Sequence, residues 1–190
     1  MIDKKVISNY VKLMKAMSKI AKKNDRRLLI QRVSNEVFGE IVYLTDSCAV
    51  FPIPADVYDA NAEACNCPLK DNKVDLYKII RDNDDNGRII KPTKMLYDLN
   101  TYKGIKTVRV YISDIDYLFI DTMYTDLIDL LPASLSGYSE CKNCKINCPV
   151  AFYNSNIDVG FAICPIYNRT RDDFENCLHD IEKVSYADVK

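Results

Sequence analysis

Lysine is the residue type with the clearest functional pattern in this chain, and it is concentrated near the start. Lys and Arg bind phosphate groups with little demand on geometry, so a basic row on one helix suffices for contact with a nucleic-acid backbone. The row therefore predicts a surface that binds DNA or a partner protein, and the alternative is the solvated outer face of a docked helix. The residues are Lys12, Lys15, Lys19, Lys22, Lys23 and Arg26.

The cysteines form a second candidate site. Residues 65–67 read C-x-C, and residues 141–148 read C-x₂-C-x₃-C. Zinc prefers four thiolate or imidazole ligands, and short cysteine steps supply two of them from one loop. The spacing predicts one structural zinc, and the alternative is a set of reduced loop thiols. Four ligands would come from Cys65, Cys67, Cys141, Cys144 and Cys148.

Catalytic patterns are weak in this sequence. The single histidine, His179, lies in a charged C-terminal stretch, and no nucleophile motif surrounds any serine or cysteine. Asp114, Asp116 and Asp121 have the residue type of a metal-dependent nuclease site, which is an alternative to the plainer interpretation of polar strand residues. The sequence predicts a protein that is not an enzyme.

Charge is divided unevenly along the 190 residues. The overall net charge is −1, but residues 1–27 carry nine Lys and Arg against two Asp, a net +7, which leaves −8 for the remainder. A basic element on an acidic body is typical of a protein that meets an anionic partner. The abundance of Lys, Asn, Ile, Asp and Tyr favours an AT-rich genome, such as that of a low-GC bacterium or its phage.

Apolar residues never run for the ~20 positions that a membrane span needs. The cationic N-terminus has periodic rather than continuous apolar residues, so it does not resemble a secretion signal. We therefore expect a protein of the bacterial cytoplasm without a membrane partner, in which the eight cysteines are reduced.

Periodicity predicts the elements that position these residues. Asp3 is expected to cap a helix that runs to about Lys23 and buries one apolar stripe. A turn at Ser34 and Asn35 should join the first two strands. The further predictions are strands at 28–33, 37–44, 48–53, 107–112, 117–120, 149–154 and 159–166, a short helix at 74–81, a polar turn at 82–87, a helix from 121 or 122 to 131, and a cysteine-rich loop at 134–148. We interpret residues 1–167 as one α+β domain with a less regular insertion at about 55–105, and residues 168–190 as a charged tail with a helix at 172–183.

Three stretches resemble a known family. Residues 44–47 (LTDS) followed by 50–54 (VFPIP) resemble a strand–turn–strand step of clamp-like phage proteins, with Ser47 where a turn glycine is usual. Residues 120–124 (IDTMY) resemble the strand that enters a second helix. Residues 148–152 (CPVAF) and 162–166 (AICPI) resemble the closing hairpin. Together they are similar to one domain of the DNA sliding clamp family.

This resemblance implies two helices packed on small antiparallel sheets, with basic side chains of the helices directed toward DNA phosphates. Clamp rings contain six such domains, so a one-domain chain would act as a homo-oligomer. The leading hypothesis is a non-enzymatic accessory protein of a phage or mobile element that binds DNA or a replication protein through its first helix. The runner-up is a small inhibitor that binds a host nuclease in the manner of anti-CRISPR proteins, for which the acidic body would suit a basic nucleic-acid channel.

Overall fold

Helices and antiparallel strands build this protein, which confirms the predicted α+β class. A computed structural model describes residues 3–63, 74–86, 88–101, 103–112, 117–136, 141–143, 149–154 and 156–166. The helices are α1 (Lys4–Lys23), α2 (Ala55–Asn61), α3 (Leu76–Asn86), α4 (Thr122–Thr125) and α5 (Ala133–Ser136), with a 3₁₀ turn at Ile128–Leu130. The strands are β1 (Leu29–Asn35), β2 (Gly39–Thr45), β3 (Ala49–Pro54), β4 (Arg88–Thr101), β5 (Gly104–Ile112), β6 (Tyr117–Asp121), β7 (Cys141–Asn143), β8 (Val150–Asn154) and β9 (Val159–Ile163).

Helix α1 begins and ends where the sequence predicts. The Asp3 side chain accepts a hydrogen bond from the Lys5 N–H at 2.9 Å, which is an N-cap. At the other end Asp25 adopts a left-handed conformation (φ 53°), and the Arg26 N–H reaches back to the Ala21 carbonyl at 2.8 Å. This is the Schellman pattern that ends a helix. The buried stripe consists of Tyr10, Leu13, Met14, Met17, Ser18 and Ala21.

The described strands form one antiparallel sheet in the order β1-β2-β3-β9-β8-β7-β4-β5-β6. Strand β4 connects its two parts, because its first three residues pair with β7 and the rest pair with β5. The segment after β9 returns to the far edge, where the Ile166 N–H donates to the Phe119 carbonyl at 2.7 Å. The sheet is therefore strongly curved, and the chain after β9 connects both of its parts.

Helices cover both faces of the first part of the sheet. On one face the Tyr43 ring lies 6.3 Å from the Tyr77 ring of α3. A Cβ atom on Gly160 would come within 2.7 Å of the Phe152 carbonyl oxygen and 2.9 Å of the Ile80 Cγ2, so the neighbouring strand and α3 together require glycine there. On the opposite face α2 packs against β2 and β3, α1 packs against α2, and the same core contains stacked aromatic rings. These are Phe51, Phe152 and Phe161, with Tyr111 meeting Phe152 edge-on.

The stretch at 55–105 was expected to be less regular, with a short helix at 74–81. That helix is confirmed by α3, and the rest of the described part is more regular than expected. It contains α2, α3 and the whole of β4, and α3 extends through Asp82 to Asn86 where a turn was predicted. Pro92 lies within β4, where proline weakens the sequence signal for a strand because it cannot donate to a strand ladder. The strand accommodates Pro92 with an irregularity between Pro92 and Leu96, and the Thr93 hydroxyl there donates to the Val110 carbonyl at 2.8 Å.

Three further elements differ from the prediction. The helix expected from Asp121 or Thr122 to Leu131 is a single turn, α4, followed by a 3₁₀ turn, because a segment this short takes its geometry from packing rather than from propensity. The first hairpin turns at 36–38 rather than at Ser34 and Asn35, since the Asn35 side chain accepts from the N–H groups of Val37 and Phe38. The stretch at 134–148, predicted to be a loop, contains most of α5 and all of β7. The tail at 168–190 lies outside the described residues.

None of the helices in the described ranges is long and apolar enough to cross a membrane.

Candidate phosphate-binding face and a buried ionic cluster

Helix α1 presents all seven of its lysines on one side. At 100° per residue they fall within a sector of about 100°, opposite the buried stripe. Each of them is exposed, and the row is about 28 Å long at a rise of 1.5 Å per residue. Helix α1 contains no Asp or Glu. We call this surface the lysine face, and it comprises Lys4, Lys5, Lys12, Lys15, Lys19, Lys22 and Lys23.

The lysine face has no counter-charge among the described residues. The salt bridges among the described residues use Arg26, Arg32 and Lys106 as cations, and no α1 lysine takes part in them. Lysines three or four residues apart repel each other, and each such pair destabilises a helix by about 0.2–0.5 kcal/mol. Four pairs of this kind occur in α1: 12 with 15, 15 with 19, 19 with 22, and 19 with 23. The helix is therefore destabilised by about 1–2 kcal/mol in the absence of an anionic partner.

Arg26 is separated from the five lysines with which the sequence grouped it. Its side chain is 31% exposed, and its Nη1 donates to the Asp46 Oδ2 at 3.3 Å and to the Tyr124 hydroxyl at 3.0 Å. The Schellman end of α1 places Arg26 beside the turn between β2 and β3. Arg26 thus belongs to an internal ionic cluster, whereas Lys12, Lys15, Lys19, Lys22 and Lys23 share the lysine face.

Asp46 is the centre of this ionic cluster and is completely buried. Its Oδ1 accepts from the N–H groups of Cys48 and Ala49, each at 3.0 Å. Its Oδ2 accepts from the Tyr124 hydroxyl at 2.5 Å and from Arg26. A carboxylate has about four lone-pair sites, so Asp46 is saturated. The left-handed conformation of Ser47 (φ 74°) closes the turn that directs these N–H groups at Asp46.

The electrostatics of the cluster follow from burial and from its paired charges. Burial raises the pKa of the Tyr124 hydroxyl, and the neighbouring Asp46 carboxylate raises it further. Burial lowers the pKa of Arg26, but the nearby Cys48, Tyr124 and Asp46 outweigh this effect and raise it. Burial raises the pKa of the Cys48 thiol despite the opposing influence of Arg26. Tyr124 therefore stays protonated, Arg26 stays charged, and the thiol is not activated.

A second ion pair adjoins the cluster. The Lys106 Nζ lies 2.8 Å from the Asp121 Oδ2, and Asp121 is only 5% exposed at its side chain. The Asp121 Oδ1 also accepts from the Met123 N–H, which caps α4. Because its oxygens are bound to Lys106 and to the α4 backbone, Asp121 is a structural residue in this arrangement. The other two carboxylates of the nuclease alternative, Asp114 and Asp116, lie outside the described residues.

Two tyrosines hold a further carboxylate, Asp158, in the turn between β8 and β9. The Tyr77 hydroxyl donates to the Asp158 Oδ2 at 2.6 Å, and the Tyr153 hydroxyl donates to Oδ1. Burial raises the pKa of Asp158, but the two hydroxyls and the neighbouring Arg81 outweigh it and keep the pKa below its usual range. The bond from Tyr77 joins α3 to the turn, so Asp158 and its two tyrosines stabilise the packing of α3.

The predicted zinc ligands are not tested by the structure. Cys65, Cys67, Cys144 and Cys148 lie outside the described residues. Cys141 is the first residue of β7, where its backbone pairs with Ile90 and Phe152. Among the side chains that the structure does describe, no three His, Cys, Asp or Glu converge as metal ligands. The zinc site stays a prediction.

Sequence reasoning missed the ionic cluster. A signal did exist, because Asp46 interrupts a strongly apolar stretch between β2 and β3, and a polar residue in such a position needs partners if it is buried. Two of the three stretches that resemble a clamp domain contain Asp46 and Tyr124, and the structure brings them into contact. Tyr124 lies 78 positions after Asp46, so one sequence alone could not identify it as the partner.

Comparison of the chain with protein-family models, with curated proteins and with solved structures found no match. The resemblance to a sliding clamp domain therefore stays a prediction, and the fold stands on its own as an α+β protein built on one curved antiparallel sheet.

Proposed function

We propose that this protein is a non-enzymatic accessory protein that binds the phosphate backbone of DNA through the lysine face of α1. The observation that carries the proposal is that seven exposed lysines share one side of a helix and have no counter-charge among the described residues. Repulsion within this row destabilises the helix. Phosphates bound along it would remove that repulsion.

The geometry of the lysine face favours contact with the backbone over base reading. The row of about 28 Å exceeds the ~12 Å width of the major groove, so it can contact the phosphates on both sides of a groove. Apart from the lysines, the sector contains only Ser8, and it has no Arg, Asn or Gln to pair with base edges. Binding should therefore not depend on base sequence. The sliding clamp resemblance and the AT-rich composition support a role in phage or mobile-element replication, in a bacterial cytoplasm.

Salt dependence of binding to random-sequence duplex DNA tests the proposal. Each phosphate that a lysine neutralises releases counterions, so the slope of log affinity against log salt should approach about −6 for seven contacts. Changing Lys12, Lys15 and Lys19 to Glu should abolish binding between about 50 and 200 mM salt. A matched control changes the exposed Lys78, Lys91 and Lys94 to Glu, which alters the net charge equally but leaves α1 intact.

Two outcomes would contradict the proposal. One is an absence of binding at low salt. The other is an equal loss of affinity in both triple variants, because the effect would then come from net charge and not from the lysine face.

The acidic remainder of the chain, with a net charge of −8, favours a second candidate function, that of an inhibitor. In that case the protein would occupy the basic nucleic-acid channel of a host nuclease, in the manner of anti-CRISPR proteins. The two functions differ in their dependence on α1. An inhibitor would retain its effect on the nuclease when Lys12, Lys15 and Lys19 are changed to Glu, whereas DNA binding would be lost.

A further inference from the structure

Cys48, just before β3 begins, lies opposite Cys164, just after β9 ends. The register of this pair of strands joins Ala49 to Ile163 and Val50 to Ala162. One step further along, Cys48 stands opposite Cys164, and the Cys164 N–H donates to the Cys48 carbonyl at 2.7 Å. The Cys164 Sγ lies 4.0 Å from the carbonyl oxygen of Ser47, the residue before Cys48. The Cys164 thiol is therefore directed toward the turn that carries Cys48.

The register gives this pair a Cα separation that suits a disulfide. Opposite residues of an antiparallel pair point to the same face, and their Cα atoms are ~5.5 Å apart where a backbone hydrogen bond joins them. Disulfides span Cα separations of ~4.4–6.8 Å. Both residues are thiols in this structure, and both are half-buried, so small oxidants can reach them.

We propose that Cys48 and Cys164 are a redox modification site, which a low-molecular-weight disulfide such as oxidised glutathione converts to an intramolecular disulfide. One thiolate attacks a glutathione sulfur, forms a mixed disulfide and releases one glutathione thiolate. The second cysteine thiolate then attacks the protein sulfur of the mixed disulfide and releases the other. Two cysteine thiols are oxidised, one glutathione disulfide is reduced to two thiols, and the two protons pass to the released thiolates.

We expect this disulfide to be strained and therefore easy to reduce. The Cβ atoms of opposite residues in a hydrogen-bonded pair are ~5.5 Å apart, whereas a relaxed disulfide needs ~3.8 Å, so the backbone must move to close it. Such strain makes a disulfide easier to reduce. The link would fasten the turn that carries Asp46 and Cys48 to the segment that continues to β6. It would thus couple the redox state of the solution to the surroundings of Arg26, at the end of the lysine face.

Peptide mapping tests this site directly, because cleavage before aspartate isolates each cysteine. The cleavage releases residues 46–55, which contain only Cys48, and residues 158–171, which contain only Cys164. The full-length protein is equilibrated in glutathione buffers of increasing oxidation, its remaining thiols are alkylated, and it is then cleaved. We expect the two alkylated peptides to disappear together. One linked species should replace them, and its mass should be two hydrogens below the sum of the two unmodified peptides.

Controls distinguish a built site from random oxidation. The linked species should return to two alkylated peptides on addition of reduced glutathione, and Cys48→Ser or Cys164→Ser should each abolish it. The thermal midpoint of the oxidised protein should exceed that of the reduced protein, with no such difference in Cys48→Ser. Three results would overturn the inference: alkylation of both peptides at every ratio, mixed disulfides with glutathione alone, or equal linkage in protein unfolded by urea.

Discussion

The lysine face and the ionic cluster around Asp46 both contain charged residues, but the charges of the first are exposed and, within the described ranges, unpaired, whereas the central charge of the second is buried and paired. On the lysine face seven cations are exposed, repel each other and meet no anion among the described residues. In the cluster one carboxylate is fully buried and accepts four hydrogen bonds, one of them from a cation. The two regions meet at the end of α1, where Arg26 follows the last lysines but turns inward.

Burial explains the difference. A charge in water costs the fold little whether it is paired or not, so exposed lysines can serve a partner. A buried charge destabilises the fold unless its lone pairs accept hydrogen bonds, so the groups around Asp46 act in the stability of the fold. We therefore expect substitutions in the cluster to lower stability. Substitutions on the lysine face should change binding, with only a small effect on stability and of the opposite sign.

Loss of the central carboxylate should have the largest effect. Changing Asp46 to Ala leaves Arg26, the Tyr124 hydroxyl and two backbone N–H groups without their acceptor. Breaking a buried pair in this way costs about 3–5 kcal/mol, and the partial exposure of Arg26 favours the lower end of that range. Urea denaturation measures this free energy of unfolding. The control is Asp126→Ala, an exposed carboxylate nearby, which should change stability by less than about 0.5 kcal/mol. Equal losses in both variants would mean that Asp46 has no special role.

Removal of a single hydroxyl should have an intermediate effect. Tyr124→Phe deletes the donor to Asp46 and the acceptor for Arg26 but keeps the ring, so we expect a loss of about 1–3 kcal/mol at neutral pH. Tyr124→Leu also removes the ring. If its loss of stability is no larger than that of Tyr124→Phe, the stabilisation by Tyr124 comes entirely from the hydroxyl. An unchanged free energy of unfolding in Tyr124→Phe would show that water replaces the hydroxyl without cost.

Alkaline pH should narrow the difference between the wild type and Tyr124→Phe. The pKa of Tyr124 is raised in the folded protein, chiefly by burial, while an unfolded tyrosine ionises near pH ~10. The stability that Tyr124 contributes is therefore fully present below about pH 10 and is lost as the pH rises above it. Denaturation at pH 8 and at pH values above 10 checks this sign. A difference between the two proteins that grows with pH would contradict it.

The smallest effect should have the opposite sign. Lys19→Ala removes three like-charge pairs from α1, with Lys15, Lys22 and Lys23, so it should stabilise the protein by about 0.6–1.5 kcal/mol at low salt. Salt near 1 M should remove most of this gain by screening. Lys78→Ala is the matched control in α3, where the lysine lies three residues after Asp75 and should lose a little stability instead. A loss of stability in Lys19→Ala would show that Lys19 has an anionic partner in the folded chain.

The described fold was predictable where local signals were complete. Asp3, the apolar stripe and the predicted end near Lys23 defined α1 correctly, and the alternation of apolar and polar residues located β5. The prediction was wrong where the deciding contact lay elsewhere in the chain or in one side chain. Strand β4 needed the hydroxyl of Thr93 to compensate for Pro92, and the first turn was shifted by the amide of Asn35.

The same division applies to the candidate sites. The amino-acid sequence by itself determined the lysine face, because a periodic pattern within one helix specifies which residues share a side. Only the tertiary structure decided that Arg26 leaves that face for Asp46, that Tyr124 joins them, and that Cys48 stands opposite Cys164. Those contacts join residues far apart in sequence, and they arise when the sheet curves and the chain returns across it. A buried charge finds its partners through the packing of distant elements, whereas an exposed row needs only the repeat of its own helix.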